Sequence, residues 1–296
     1  MTPAYRSGVH LALAAYTMWG VAPLYFVLIE FATPTEIIVH RIFWSMLMLL
    51  ALLMARSMLA DLLRLTKRQY LGLFVSGVLL GVNWWTFIWA LQNERVLETS
   101  VGYYINPLIS VVLGVVFLGE RLRAVQWVAI ALAGLGVLNE LVIVGVLPVV
   151  ALVLALTFGF YGLVRKRLAL DSIQGLAIES MLLLPIALVA FAQLARAGSM
   201  QTFEHGLSGL LFLALTGVVT SAPLLCFTAA ANRLPLVVIG MFQYLAPTIT
   251  MLLAIFFYGE PFSFAKALTF AFVWSGIAVF SVDAWQRQMR GRRVFL

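Results

Sequence analysis

Two stretches of this chain repeat one another 140 residues apart. Residues 104–120 run from Tyr104 through Pro107 to Gly119-Glu120, and residues 244–260 run from Tyr244 through Pro247 to Gly259-Glu260; seven of the 17 positions are identical. Chance at this composition gives roughly one or two. The period lies far beyond the roughly 20–50 residues of stacked solenoid repeats, so the chain is a duplication of a large unit. In an apolar chain, duplication on this scale points to a membrane transporter built from repeats.

Composition sets the solvent. Hydrophobic residues make up 63% of the 296 and charged ones 10%, against about a quarter charged in a soluble domain. Mean hydropathy is +1.04. No single globular core hides that much apolar surface, so lipid is the medium. The net charge of +7 does not indicate nucleic acid, because the basic residues fall in short gaps between apolar runs. The lone cysteine, Cys226, excludes an intramolecular disulfide and a cysteine metal cage.

Apolar runs near the ~20 residues that cross a bilayer predict an all-α integral membrane protein with ten spans: 8–29, 36–55, 70–92, 99–118, 124–140, 146–164, 174–195, 207–231, 236–257 and 264–284. The first is too long for a signal peptide and lacks a clean cleavage site. With the N-terminus inside, cytoplasmic segments hold 15 Lys and Arg residues, including the run Arg165, Lys166 and Arg167; outer segments hold three, Arg95, Arg196 and Lys266. That bias puts both termini in the cytoplasm. Ten spans divide into repeats at 8–142 and 146–284, followed by a basic cytoplasmic tail at 285–296. Five is odd, so the second repeat enters the membrane inverted. Each half can then adopt the conformation of the other, a direct route to alternating access.

The residues also carry a family resemblance. The stretches are 13–23 (Leu-Ala-Ala-Tyr-Thr-Met-Trp-Gly-Val-Ala-Pro), Glu36-Ile-Ile-Val-His40-Arg41, Gly102-Tyr-Tyr-Ile-Asn-Pro-Leu108, Phe117-Leu-Gly-Glu-Arg121, 160–166, 223–231 and Phe257-Tyr-Gly-Glu260. Together they resemble the EamA branch of the drug/metabolite transporter superfamily, and more closely its RarD type of permease. The resemblance implies a carrier of the cytoplasmic membrane, linked in its family to chloramphenicol sensitivity. It also implies a central cavity lined mainly by spans 1, 3 and 4 with 6, 8 and 9. The second repeat has Ala246 where the first has Asn106, and Pro261 where the first has Arg121, so a site built there is asymmetric.

Several intramembrane residues need a reason. Pro107 and Pro247 each remove a helical hydrogen bond, and the freed carbonyls must be satisfied elsewhere. They are either kinks that shape packing or hinges that open backbone acceptors toward a substrate. Glu120 and Glu260 oppose the dipole of the helices they end; they are expected as structural caps that accept bonds from the start of the next helix. Arg41 and Glu179 are the deepest ionisable residues of spans 2 and 7. Each is either satisfied separately or paired with the other as a charge clamp, with Glu36 as another partner for Arg41 and His40 close by. Trp84, Trp85, Phe87 and Trp89 crowd span 3. The substrate-binding set expected from these patterns is Trp19, Asn83, Trp84, Trp89, Tyr103, Asn106, Tyr161, Gln243 and Tyr244. Its aromatic faces suit a planar, amphipathic or cationic substrate. Gly77 and Gly81 permit close helix approach.

The chain has no phosphate-binding Gly-x-x-x-x-Gly-Lys, no zinc-peptidase His-Glu-x-x-His and no hydrolase Gly-x-Ser-x-Gly. No catalytic residue, cofactor or metal is expected. What remains is a secondary transporter, moving a small amphipathic metabolite or drug, in the export direction. A proton or other ion gradient drives it, or exchange or downhill flux does, with Glu179 the candidate proton site. The alternatives are a membrane-embedded lipid-modifying enzyme and a non-transporting membrane scaffold. The partners are a small-molecule substrate and the lipid bilayer, with the chain a monomer or a homodimer.

Overall fold

A computed structural model describes residues 2–145, 149–202, 204–259 and 263–293. Ten of its helical segments are long and apolar enough to cross a membrane. The spans are α1 (Pro3–Phe26), α2 (Pro34–Ala55), α4 (Lys67–Gln92), α5 (Val96–Leu118), α6 (Ala124–Val144), α7 (Val149–Leu168), α8 (Ser172–Arg196), α9 (Gly206–Ala231), the pair α10 (Leu236–Gln243) and α11 (Leu245–Phe256), and α12 (Phe264–Arg293); α3 (Leu59–Leu62) is a short turn between the second and third spans. Odd-numbered connections lie on one face of the bundle and even-numbered ones on the other. The two are called the odd-loop face (27–33, 93–95, 197–205) and the even-loop face (56–66, 119–123, 169–171, 232–235).

Local chemistry sets the helix ends. Thr33 accepts the amide of Glu36 ahead of α2, and Asp171 accepts the amides of Ile173 and Gln174 ahead of α8. Such side chains satisfy amides that the first helical turn leaves open. Gly119 ends α5 with φ of +65°, and its counterpart Gly259, at the same place in the second repeat, has φ of +68°. That left-handed conformation is costly with a Cβ, which is why both copies keep glycine there.

The repeats pack on each other more than on themselves, and the pairing is two-fold. The packing of α5 on α7 has its image in α11 on α1; α4 on α7 matches α9 on α1, and α2 on α9 matches α8 on α4. Three pairs are their own image: α2 with α8, α5 with α10, and α6 with α12. The last is visible atom by atom. A Cβ on Gly136 would stand 2.8 Å from the carbonyl oxygen of Thr269, and one on Gly276 would stand 2.5 Å from that of Ala129. Both glycines and both carbonyl residues are related by the same 140-residue step. The glycines let two backbones meet directly, the form of packing that holds helices together in lipid. The chain is therefore two inverted five-helix repeats around a pseudo-two-fold axis. Tyr244 sits at that axis: its hydroxyl donates to the carbonyl of Tyr104, its own counterpart, at 3.4 Å.

The prolines behave unequally. Pro107 is buried within an unbroken α5, and its carbonyl lies where a Cβ on Gly240 would be 2.8 Å away. It is a packing contact with α10, not an open hinge. In the second repeat the helix does break, at Tyr244, so that Pro247 becomes the third residue of α11. There proline is tolerated, because first-turn amides have no helical partner to lose.

Candidate functional site

Two polar layers occupy equivalent places in the two repeats. Arg41 is the eighth residue of α2 and Glu179 the eighth of α8, so each lies about 10 Å in from its helix start at 1.5 Å per residue. Each binds a hydroxyl on the symmetry-related helix. The Nε of Arg41 donates to Thr220 Oγ1 of α9 at 2.8 Å, and Ser76 of α4 donates to Glu179 Oε1 at 2.5 Å. The repeats are inverted, so these layers sit near opposite faces: Arg41 toward the odd loops, Glu179 toward the even loops.

This geometry corrects the expected Arg41–Glu179 pair. Corresponding positions of inverted repeats lie at opposite depths and do not meet. The cation of Glu179 is Arg165, whose Nε is 3.6 Å from Oε1. Tyr161 adds a hydrogen bond to Oε2 at 3.2 Å. Arg165 was expected in a cytoplasmic loop. It instead lies one turn inside α7, 2% exposed, with its guanidinium where a Cβ on Gly175 would fall. Its three side-chain nitrogens have no hydrogen-bond acceptor, so one carboxylate holds it through charge alone.

Arg41 is in a different state. Its guanidinium lies 4.9 Å above the ring of Trp84, and Tyr25 and Tyr103 are within electrostatic range. Among the described residues it makes no ion pair, and Glu36 is committed elsewhere, accepting from the amides of Gln201 (3.1 Å) and Thr202 (2.9 Å) and the Thr202 hydroxyl (2.5 Å). His40 bonds Thr202 and Trp44. Tyr103 is the eighth residue of α5, and Trp84 the ninth from the odd-loop end of α4. Both therefore stand about 10–12 Å below the odd-loop face, level with Arg41.

Tyr103 opens inward, not to lipid. It is 52% exposed, while Val112 is 53% and Val116 67% exposed on the same helix. At about 100° per residue, those valines lie about 180° and 220° round from Tyr103. The valines mark the lipid side, so Tyr103 faces the interior. α2 and α5 are not among the closely packed helix pairs. One turn deeper on the same face, Asn106 Oδ1 is buried without a hydrogen-bond partner. Beyond it, Ser110 accepts from Gln243 Nε2 at 3.0 Å.

The remaining expected lining residues are mostly committed to packing. Asn83 donates to the Leu154 carbonyl (3.0 Å) and Thr157 Oγ1 (2.9 Å), clamping α4 to α7. Trp19 packs with Tyr16, Phe158 and Phe227 at centroid distances of 5.4, 5.7 and 6.0 Å. Tyr161 and Tyr244 are fully buried, and Gln243 is buried. Trp89 lies near the rim under Arg95 at 5.3 Å, sharing a side with Trp85, which is 69% exposed. Trp19, Tyr161 and Tyr244 fill gaps between helices, while Trp85 and Trp89 lie exposed toward the rim. Trp84 and Tyr103 are the members of the expected set beside Arg41, with Asn106 one turn along α5 from Tyr103. Thr220 and Tyr25 also adjoin Arg41; neither has a local pattern that separates it from an ordinary packing residue.

The even-loop face is closed by bonds between the repeats. Glu120 accepts the amides of Leu236 at 2.7 Å and Val237 at 2.9 Å. It thus caps the start of α10, across the interface, and not the next helix of its own repeat as expected; the left-handed turn at Gly119 sends the side chain across. Arg123 pairs with Asp283, again across the repeats, while Lys166 ties α7 to the end of α9 within the second repeat by donating to the carbonyls of Ala231 and Leu234. Glu260 lies outside the described residues.

A family model described as the EamA-like transporter family matches residues 6–139 and again 147–282. The chain is 48% identical to Protein RarD of Escherichia coli (strain K12), over 96% of this chain and 97% of that one. It is 41% identical to the Uncharacterized transporter YojE of Bacillus subtilis (strain 168), over 95% and 96%. It is 31% identical to the Chloramphenicol-sensitive protein RarD of Pseudomonas aeruginosa, over 94% of each. A solved crystal structure with 19% identity aligns over 93% of this chain and 96% of its own, with a TM-score of 0.73, and shares the fold.

Proposed function

Because the chain belongs to the EamA-like transporter family, and is of the RarD type, we propose that this membrane transporter is a secondary carrier of the cytoplasmic membrane, exporting a small amphipathic metabolite or drug by alternating access. The bias of 15 basic residues on one side against three on the other supports cytoplasmic termini and makes the even-loop face cytoplasmic. The chloramphenicol sensitivity in the name of the Pseudomonas relative supports an amphipathic drug-sized cargo.

One observation carries the reading. Tyr103 is half-exposed on the inward face of α5 near its odd-loop end, while the Glu120 cap and the Arg165–Glu179 cluster tie helices together toward the even-loop end. The two repeats are related by inversion, so exchanging their conformations exchanges which side is open. A scaffold has no use for a half-open polar face between its halves, and a lipid-modifying enzyme needs one fixed opening.

The test is accessibility from both sides. In a Cys226→Ser background, an Asn106→Cys variant is reconstituted in sealed vesicles and treated with a membrane-impermeant maleimide. The carrier reading expects labelling from the outside and, in inverted vesicles, from the inside. Labelling confined to one side in both orientations excludes alternating access.

A further inference from the structure

Resting on that carrier reading, we infer that the odd-loop vestibule is an organic-anion site: Arg41 binds the carboxylate, or an equivalent anionic group, of a cargo whose apolar or aromatic body lies among Tyr103, Tyr25 and Trp84.

An arginine inside the apolar core is expensive unless it is paired, wetted or engaged with a ligand. The two buried cations of this chain meet that demand differently. Arg165 is fully enclosed and has a carboxylate of its own, Glu179. Arg41 occupies the counterpart layer, holds a neutral threonine hydroxyl with Nε, and has no carboxylate among the described residues. Its terminal nitrogens are not among the buried polar atoms that lack a partner, whereas those of Arg165 are. The fork of Arg41 therefore faces accessible space. A planar guanidinium fork that is fixed at one nitrogen and open at the others is suited to a carboxylate or phosphate.

The surroundings fix the charge sign of the cargo. A cationic guest, which an aromatic vestibule otherwise favours, meets Trp84 already covered by Arg41 at 4.9 Å and is repelled by the same charge. Tyr25 is anchored by its hydroxyl to the Phe212 carbonyl at 2.5 Å, leaving its ring as wall. The buried Oδ1 of Asn106, one turn below Tyr103, has no partner and offers an acceptor for a hydroxyl or amide on the cargo. The site therefore describes an amphipathic acid that carries a hydrogen-bond donor.

The probes are three isosteres: phenylacetate, its neutral amide phenylacetamide, and the cation phenethylamine. Binding of each labelled compound to the full chain in nanodiscs is measured by equilibrium dialysis. Phenylacetate is expected to bind at least tenfold more tightly than either analogue. Arg41→Gln should remove that preference, Arg41→Lys should keep part of it, and Thr220→Ala should leave the order of the three unchanged. In parallel, phenylglyoxal should modify Arg41 in the wild-type protein and not Arg165, with phenylacetate slowing the modification; this arm does not depend on any variant folding. Equal binding of acid and amide, no detectable binding of the acid, or an Arg41 that resists phenylglyoxal overturns the anion site. Those results leave the two-sided labelling of Asn106→Cys untouched. Conversely, one-sided labelling with intact acid preference defeats the carrier reading alone.

Discussion

Removing the charge of Glu179 should be among the most damaging single changes in this protein, and removing Arg165 as well should repair part of the damage. Glu179 is fully buried and Arg165 is 2% exposed. Their 3.6 Å contact is too long for a hydrogen bond, so the attraction is coulombic. A Glu179→Gln variant leaves a guanidinium inside the bundle with three nitrogens lacking any acceptor, and stranding one member of a buried pair costs about 3–5 kcal/mol. Arg165→Met is milder. The carboxylate it leaves behind keeps Ser76 at 2.5 Å and Tyr161 at 3.2 Å as donors, and bonds to a charged group are each worth about 1.5–3 kcal/mol. The double variant has no stranded charge, so the two losses should fail to add by about 2 kcal/mol, within the range for contacting residues. Denaturant unfolding of purified protein in detergent, followed by tryptophan fluorescence, measures all four corners of the cycle. Additivity within about 0.5 kcal/mol, or an Arg165→Met protein less stable than Glu179→Gln, would refute the reasoning. Arg41→Gln combined with Glu179→Gln is the control: residues in opposite membrane halves should add.

Three further outcomes follow from other contacts. Glu120→Ala uncaps two amides of α10 and should cost about 2–4 kcal/mol, with Glu120→Gln in between because its single carbonyl oxygen still accepts one; equal stability of all three proteins contradicts the cap. Gly276→Leu should abolish accumulation of folded protein, since even a Cβ there stands 2.5 Å from the Ala129 carbonyl, and the Gly136→Leu protein should fail the same way; a normal gel-filtration profile for either removes the close crossing. Reporter fusions at residues 60 and 170 should be active in the cytoplasm and those at 143 and 200 outside it; a cytoplasmic reporter at 143 breaks the proposed orientation.

The architecture was legible because duplication and hydropathy are properties of the chain itself. The 140-residue step that relates Gly119 to Gly259 also relates Tyr104 to Tyr244 and Gly136 to Gly276, and all three relations are physical in the structure. The site was less legible, for reasons particular to each residue. Arg41 and Glu179 stood out correctly as costly charges, but pairing them overlooked the inversion that puts equivalent positions at opposite depths. Arg165 read as a loop residue because it belongs to the run Arg165-Lys166-Arg167; one turn of α7 turns it inward. Trp84, Trp85 and Trp89 look alike in sequence. Only the neighbours of α4 decide that Trp84 meets Arg41 while Trp85 meets lipid. Pro107 and Pro247 are equal in sequence and unequal in consequence, since Gly240 packs on the first and the helix break at Tyr244 precedes the second.

The open charge of Arg41 also has an electrical meaning. A unit charge that crosses the whole membrane field gains or loses about 2.3 kcal/mol per 100 mV. The guanidinium of Arg41 reaches Thr220, the fifteenth residue of α9, inside a hydrocarbon layer about 30 Å thick, so part of the potential drop lies between it and either face. The Arg165–Glu179 pair carries no net charge and is blind to that field. On the proposed carrier reading, reversal of the openings changes the side to which the vestibule of Arg41 connects. An empty carrier then moves positive charge through part of the field, and one with a monoanion on Arg41 moves none. Membrane voltage should thus act on the unloaded half of the cycle, where it sets how often the empty site returns to its starting side.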